Sequence, residues 1–326
     1  MKKILFIIDE IELKYFEFNR LVTNFWLIKE FLDRDFKVSI STKNRLMIEN
    51  SAAKVFCFES YVKDNDIFYE KEEKKCKVND FDVVFFRPDP PVDTDYINAC
   101  HVFDFADKEK TLFINDPHAV KNFNEKLHLS YFSEFAPENI VTSSKEEIRK
   151  FTEKTGEAII KPLNRCFGSG VYYLKNGDKN ENSIISNLTN DGKTLVMVQK
   201  YLSGAGLGDK RVLILGDYVF DECVTKLPGK NDFKFNTHSS EFFRHAELTL
   251  REKSEAQKIA KTLCEKGLYM VGLDVIDEHV IEINVTSPCY FIEEINACNN
   301  TRFQDKLMDK LLNFIDYKMK VPTGVC

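Results

Sequence analysis

The residues best placed to do chemistry lie in the stretch from Val271 to Pro288. It reads as two short strands joined by a tight polar turn, with oxygens where a half-buried strand normally carries aliphatics. Glu282 and Asn284 are two residues apart and so share one face of their strand, and Asp274 sits in the strand before. Two carboxylates and an amide on one sheet face form a hard-oxygen set suited to Mg²⁺, which keeps several waters and shares its shell with substrate phosphates. The expected partner is therefore a nucleoside triphosphate. On a solvated hairpin the same residues would be plain surface polars, and register separates the two cases. If Ile276 pairs with Val280, leaving Asp277, Glu278 and His279 as the turn, Asp274 faces Glu282. A two-residue turn pairs Asp274 with Ile281 and sends Glu282 to the opposite face.

Other groups fit a nucleotide. Lys161 closes a strand ahead of a loop containing Gly168, Ser169 and Gly170. A lysine there reaches phosphate oxygens while the backbone N–H groups of the three small residues cradle them. Lys126 lies on an expected helix over 116–135. Gln199 to Leu202 falls between two expected domains, where backbone groups can read a flat base. Asp209 and Arg211 follow, with Arg211 opening a strand. The segment Arg87 to Pro91 is a rigid turn carrying a cation and an acid, suited to substrate contact or simply to turning the chain. Cys166 lies inside the phosphate loop, where a catalytic thiol is the minor alternative to an inert one.

These groups need a scaffold, and the hydrophobic pattern supplies one. Ile4–Ile8, Lys37–Ser41 and Val83–Phe86 read as strands, with a helix over Asn24–Phe36 between the first two. This βαβ rhythm argues for an open α/β sheet, whose ligands gather beyond the carboxyl ends of the strands. Ala158–Lys161, Val171–Leu174 and Val196–Gln199 read as further strands, and Gly216-Asp217 as a hairpin turn between Arg211–Leu215 and Tyr218–Phe220. Residues 255–266 have the apolar spacing of an amphipathic helix closed by Gly267. The charged run Glu70–Lys77 reads as a solvated turn.

Composition narrows the class. The 326 residues allow about two or three domains, and 43% apolar with 30% charged residues is a globular balance. A net charge of −6 without a long Lys/Arg run argues against nucleic acid as a partner. The N-terminal apolar run stops at Asp9 and Glu10, too early for a signal peptide, and no stretch nears the ~18 apolar residues of a membrane span. Nine cysteines without a C-x-x-C pair are expected to be reduced thiols in a cytoplasm.

Several strings carry a resemblance: Arg87–Thr94, Asn122–Leu127, Ile160–Leu163, Gly208–Leu213, Lys266–Leu268, Val271–Ile276 and Glu282–Pro288. Their order and spread resemble the ATP-grasp superfamily, and within it the bacterial glutathione synthetases. Gly208-Asp-Lys-Arg-Val-Leu213 and Glu282–Pro288 are the most specific. The resemblance implies an α/β fold, α+β in its core. It has an open N-terminal α/β domain over 1–120 and an ATP-grasp domain over 121–326, the latter divided into a small lid (about 121–200) and an antiparallel-sheet catalytic subdomain (about 201–326). It implies ligation: ATP phosphorylates the carboxylate of γ-glutamylcysteine, and the amine of glycine displaces the phosphate. ATP would be held by Lys126, Lys161, Gly168, Ser169, Gly170, Gln199, Leu202, Asp209 and Asn236. Mg²⁺, or Mn²⁺, would sit on Asp274, Glu282 and Asn284, and Arg211 would stabilise the acyl phosphate and the tetrahedral oxyanion. Substrate contacts would come from Arg87, Asp89, Lys226, Thr286 and Ser287. The expected partners are small molecules, a dipeptide and an amino acid, with no nucleic acid or membrane, in a cytoplasmic homo-oligomer.

Three departures stand beside this resemblance. Arg165 and Phe167 occupy loop positions where the family has glycine. The segment Phe233–Ser240 keeps Asn236 but none of the family's glycines. Near the N-terminus an acidic-Ser-Ser/Thr-Phe pattern reads Val22-Thr-Asn-Phe25, without the acid. A paralogous ligase joining another pair of substrates, or a nucleotide-binding protein whose catalysis has decayed, therefore stays open. Against decay, clustered carboxylates without a metal repel one another.

Overall fold

A computed structural model describes residues 2–166, 168–229 and 242–321. Phe167, Asn236 and the segment Phe233–Ser240 lie outside the described residues. The described chain forms three sheets. The first, eight-stranded, contains β1 (Lys3–Ile8), β2 (Lys37–Thr42), β3 (Leu46–Glu49), β4 (Ala52–Lys63), β5 (Asp66–Tyr69), β6 (Lys74–Lys77), β7 (Val83–Phe86) and β8 (Leu112–Ile114). The second contains β9 (Asn139–Thr142), β10 (Glu157–Pro162), β11 (Tyr172–Lys175) and β12 (Val196–Lys200). The third contains β13 (Asp209–Leu215), β14 (Tyr218–Val219), β15 (Cys223–Lys226), β16 (Phe243–Ala246), β17 (Met270–Ile276) and β18 (His279–Asn284).

Strands β2, β1, β7 and β8 run parallel. Both faces of such strands are covered, so β1 is a continuous apolar run, buried from Ile4 to Ile8. The helices Thr23–Leu32 and Thr94–Val102 make the crossovers. Beyond β2 the sheet continues antiparallel through β4, which pairs with β3, β5 and β6. The expected turn at Glu70–Lys77 is corrected here, because Lys74–Lys77 is the edge strand β6. Its lysines face solvent, a common way of blunting a sheet edge.

Hairpin and helix signals were faithful in the third sheet. Gly216, at φ +61°, turns β13 into β14. The helix Leu250–Glu265 opens on a Thr249/Glu252 capping box. It closes as a Schellman motif, with Gly267 N–H on the Cys264 carbonyl and Leu268 N–H on that of Leu263, both at 3.0 Å. The expected helix over 116–135 is not continuous. A short helix, Pro117–Lys121, is followed by an irregular stretch and a 3₁₀ segment, Leu127–Phe132. Asn124 breaks it: its side chain accepts from the N–H groups of Lys126 and Leu127, satisfying them outside a helical ladder.

Two apolar clusters each run across the first and third sheets, one holding Leu5, Ile7, Val212 and Val271, the other Ile4, Phe6, Leu213 and Met270. A third and smaller cluster, around Ile148, Phe151, Ile160 and Val198, belongs to the second sheet alone. At the first junction the Asn115 side chain donates to the carbonyls of Met270 (2.8 Å) and Val285 (2.7 Å). It also accepts from the N–H groups of Tyr269 and Met270, both at 2.6 Å. All four bonds are long-range, so this amide ties β8 to both strands of the chemical hairpin. None of the described helices is long and apolar enough to cross a membrane.

Candidate active site

Alternation along the third sheet lines up one chemical face. Arg211 pairs directly with Asp274, and Asp274 directly with Glu282, so the three form a row across β13, β17 and β18. Asp209 lies two residues before Arg211 and pairs with Lys226 on β15, while Asn284 lies two beyond Glu282. Gly272, two before Asp274, leaves room for the arginine: a Cβ there would meet Arg211 Cδ at 3.1 Å.

The register is reached by a route outside both expectations. The turn has two residues, Asp277 and Glu278, both at positive φ (49° and 59°), with Ile276 opposite His279. That geometry suits hairpin twist and alone would turn Glu282 away. A bulge between Asp274 and Val275 restores the pairing, leaving Ile281 as the extra residue. The carbonyl of Ile281 points to the second sheet and accepts from Gln199 Nε2 at 3.4 Å and, at the limit of bonding distance, from Lys161 Nζ at 3.5 Å. The bulge thus aims the carboxylate and also supplies a contact between the two sheets.

Between the sheets lies a cavity of about 480 Å³. Of the residues singled out from sequence, Arg87, Asp89, Lys126, Lys161, Gly168, Gln199, Leu202, Asp209, Arg211, Lys226, Asp274, Glu282, Asn284, Thr286 and Ser287 line it. Ser169 and Gly170 do not, and the expected three-residue cradle is reduced accordingly. The Ser169 N–H is spent on the Cys166 carbonyl at 3.0 Å, and Gly170 packs on Pro162 and Arg165. Lys126 precedes the 3₁₀ segment instead of riding a helix, yet its ammonium still reaches the site.

Lys126 Nζ donates to Glu282 Oε1 at 2.7 Å and to the Arg165 carbonyl at 2.9 Å. Burial depresses this lysine, but the Glu282 and Glu125 carboxylates outweigh burial and hold it above the ordinary range. Burial acts oppositely on Glu282, where Lys126 and Lys161 prevail and hold the carboxyl below its ordinary value. Lys161, fully enclosed and without such a close partner, is pushed down to about 8 by burial despite Glu282. Asp209 lies well above the carboxylate range, from burial first and the Asp274 charge second.

Arg211 donates from Nε to Asp274 Oδ1 at 2.6 Å and from a terminal nitrogen to the Cys289 carbonyl at 3.0 Å, with its guanidinium 5.1 Å from the Phe291 ring centroid. Among the described residues these two bonds engage two of its five N–H groups. Asn284 donates to Asp274 Oδ2 at 3.1 Å. Repulsion does not argue against decay, since Arg211 and Lys126 neutralise the carboxylates. The donor set still fits a hard cation: two carboxylates and an amide oxygen converge on one face, each retaining lone pairs. Cys166 donates to the Pro90 carbonyl at 3.4 Å, and burial pushes its thiol up to about 11, which leaves it a poor nucleophile.

Glu125 lies in the Asn122–Leu127 string, which by itself implies no role for it. Its Oε1 accepts from Val285 N–H (2.7 Å), Thr286 N–H (3.0 Å) and Thr286 Oγ1 (3.0 Å), fixing the chain just past Asn284. Glu12 and Asn24, also unassigned, line the N-terminal end of the cavity. Arg87 is buried there, donating to Asn24 Oδ1 at 2.5 Å and to the Pro288 carbonyl at 2.8 Å.

The sequence profile of the N-terminal domain of prokaryotic glutathione synthetase matches residues 2–121, and that of the family's ATP-grasp domain matches 125–300. The chain belongs to the prokaryotic glutathione synthetase family. The glutathione synthetase of Vibrio parahaemolyticus is 36% identical over 249 residues, spanning 76% of this chain and 78% of the relative. That of Nostoc sp. is 39% identical over 227 residues (70% and 69%), and that of Salmonella typhi 33% over 291 residues (89% and 92%). Among solved structures, a D-cycloserine synthetase superposes with a TM-score of 0.66 at 12% identity, over 95% of this chain and 99% of that one. The D-alanyl-alanine synthetase A of Vibrio cholerae superposes with 0.59 at 13% identity, over 97% and 99%. The fold of this glutathione synthetase family member is therefore ATP-grasp, and the chain is an ATP-dependent ligase that forms carbon–nitrogen bonds.

Proposed function

We propose that this ligase joins γ-glutamylcysteine to glycine to make glutathione, through an acyl phosphate, with release of ADP and phosphate. The observation that carries the reading is the Arg211–Asp274–Glu282 row, closed by Lys126 and facing Lys161 across one cavity. Phosphoryl transfer is mostly positioning and charge neutralisation. Gln199, Leu202 and the second sheet cover the base, and Lys126 and Lys161 neutralise the phosphates. Asp274, Glu282 and Asn284 would hold Mg²⁺, or Mn²⁺, which when bound supplies further positive charge at the phosphates. Arg211 stabilises the charge that develops on the acyl oxygen. The walls of the cavity keep water from a labile intermediate. Asp209, Lys226, Arg87, Asp89, Thr286 and Ser287 surround the space left for the dipeptide and the amino acid.

The same reading divides the chain near residues 120 and 200 into N-terminal domain, lid and catalytic subdomain, working as a cytoplasmic homo-oligomer on small molecules. The test is ADP release and product mass with γ-glutamylcysteine and glycine, set against a panel of other acids and amines. Glutathione formation at the highest kcat/KM supports the reading. Faster ligation of another pair supports a paralogous ligase, and ATP binding without ligation of any pair supports decay.

A further inference from the structure

Part of the cavity lining, on the side of the N-terminal segments, has in the proposed function no more than a general place around the substrates. Glu12, Val22, Asn24, Arg87, Asp89 and Ser287 make it up. Both Glu12 oxygens accept from Asn24 Nδ2 at 3.0 Å, and Oε2 also accepts from Asp9 N–H at 3.2 Å. Arg87 fixes which way the Asn24 amide points, because Nε donates to its oxygen and leaves the NH₂ group for Glu12. A carboxylate has about four lone-pair sites, so Glu12 keeps acceptor capacity toward the cavity. It is held in one orientation by a chain of bonds that ends on the Pro288 carbonyl.

The charge balance here is negative. Asp9, Glu12 and Asp89 lie together, with Asp89 N–H on Asp9 Oδ2 at 2.7 Å. Arg87 spends hydrogen bonds on Asn24 and Pro288 while its charge offsets part of that of Asp89, and Lys43 offsets Asp9 and lies over the Tyr96 ring at 5.7 Å. Burial first, then carboxylate repulsion, raises Glu12 to about 7 and Asp89 to about 6, despite the Asn24 bond. A cationic ligand group would relieve this end. Val22 occupies the position where the resembled pattern carries an acid, and it lines the same cavity end.

We propose that Glu12 is a specificity residue that receives the ammonium group of the γ-glutamyl end of the dipeptide, with Asn24 and Arg87 as its positioning residues. This rests on the ligation reading above. The ammonium is several bonds from the reacting carboxylate, which matches a Glu12 carried by the short helix Glu10–Lys14 just past β1 while Arg211 and Asp274 are carried by the third sheet.

The experiment compares γ-glutamylcysteine with glutarylcysteine, which lacks only the ammonium, in the wild-type chain, Glu12→Gln and Glu12→Asp. A hydrogen bond between charged groups predicts a wild-type preference on the order of 10- to 100-fold in kcat/KM for the ammonium-bearing dipeptide. Glu12→Gln reduces that preference to less than about threefold through the KM for γ-glutamylcysteine while the KM for ATP holds, and Glu12→Asp keeps most of it. An unchanged preference in Glu12→Gln, with normal ligation by the wild-type chain, overturns this inference alone. A KM effect confined to glycine or to Mg²⁺ overturns it too, by giving the carboxylate another cation. Failure of the wild-type chain to ligate γ-glutamylcysteine overturns the substrate reading and this inference with it.

Discussion

The two sheets that face each other across the cavity are built differently. The third sheet shares its apolar clusters with the first and is tied to it by Asn115, Arg87 and the Asp116 N–H on the Gly267 carbonyl at 3.0 Å. The second sheet packs mainly on a small cluster of its own around Ile160, and joins the larger core through Met197 of β12 with Val141 of β9 beside it. Its polar links to the third include the bonds of Lys161 and Gln199 to Ile281, 3.4–3.5 Å long. The Arg211–Asp274–Glu282 row therefore sits on the sheet tied into the main core, and under the proposed function the second sheet, with a core mostly its own, is the one expected to open over the nucleotide. A site needs its charges fixed within fractions of an ångström, whereas entry and release need a boundary that opens at low cost.

The sharpest way to break this comparison is Glu282→Gln. If the fixed row carries the chemistry, kcat falls by about 10²–10³ while the melting temperature stays close to wild type. A matching loss of stability would make the row structural.

Next comes Asn115→Ala, which removes four buried hydrogen bonds at the rigid junction and is expected to lower global stability by about 2–4 kcal/mol. Ile160→Ala, in the second sheet's own core, should instead accelerate hydrogen exchange in β10 and β12 and leave β17 protected. Equal exchange in both sheets would remove the distinction.

Arg211→Lys keeps the charge but loses the fork. It is expected to raise the barrier to the chemical step by about 2 kcal/mol, roughly thirtyfold in kcat, with a smaller change in the KM for ATP. A change confined to KM would place Arg211 in binding only.

The smallest effect belongs to the second sheet. Lys161→Met should weaken ATP binding about tenfold, or ~1.4 kcal/mol. Burial has lowered the Lys161 pKa to about 8, so its charge is present below that pH and lost above it. Wild-type ATP affinity measured by calorimetry should fall as pH rises through about 8, and the Met variant should show no such decline. Parallel pH profiles would remove Lys161 from the phosphates.

What the sequence determined by itself was local. Alternation put Glu282 and Asn284 on one face, Gly216-Asp217 made a hairpin, and the apolar run at Ile4–Ile8 made a buried parallel strand. Each follows from the period of the backbone or the φ preference of a few residues. Motif strings carried the family, because chemistry limits the residues allowed at a phosphate site. Tertiary structure decided the rest. A two-residue turn is locally preferred, and its conflict with a shared carboxylate face is settled by a bulge at Ile281 whose carbonyl faces the second sheet. Lys126 reaches Glu282 across 156 positions without a helix to carry it, and Ser169 turns its N–H inward to Cys166. Glu125, Glu12 and Asn24 gave no signal of their own. Lone carboxylates and amides are ordinary surface residues until distant segments enclose them in low dielectric, where each charge and hydrogen bond must find a partner.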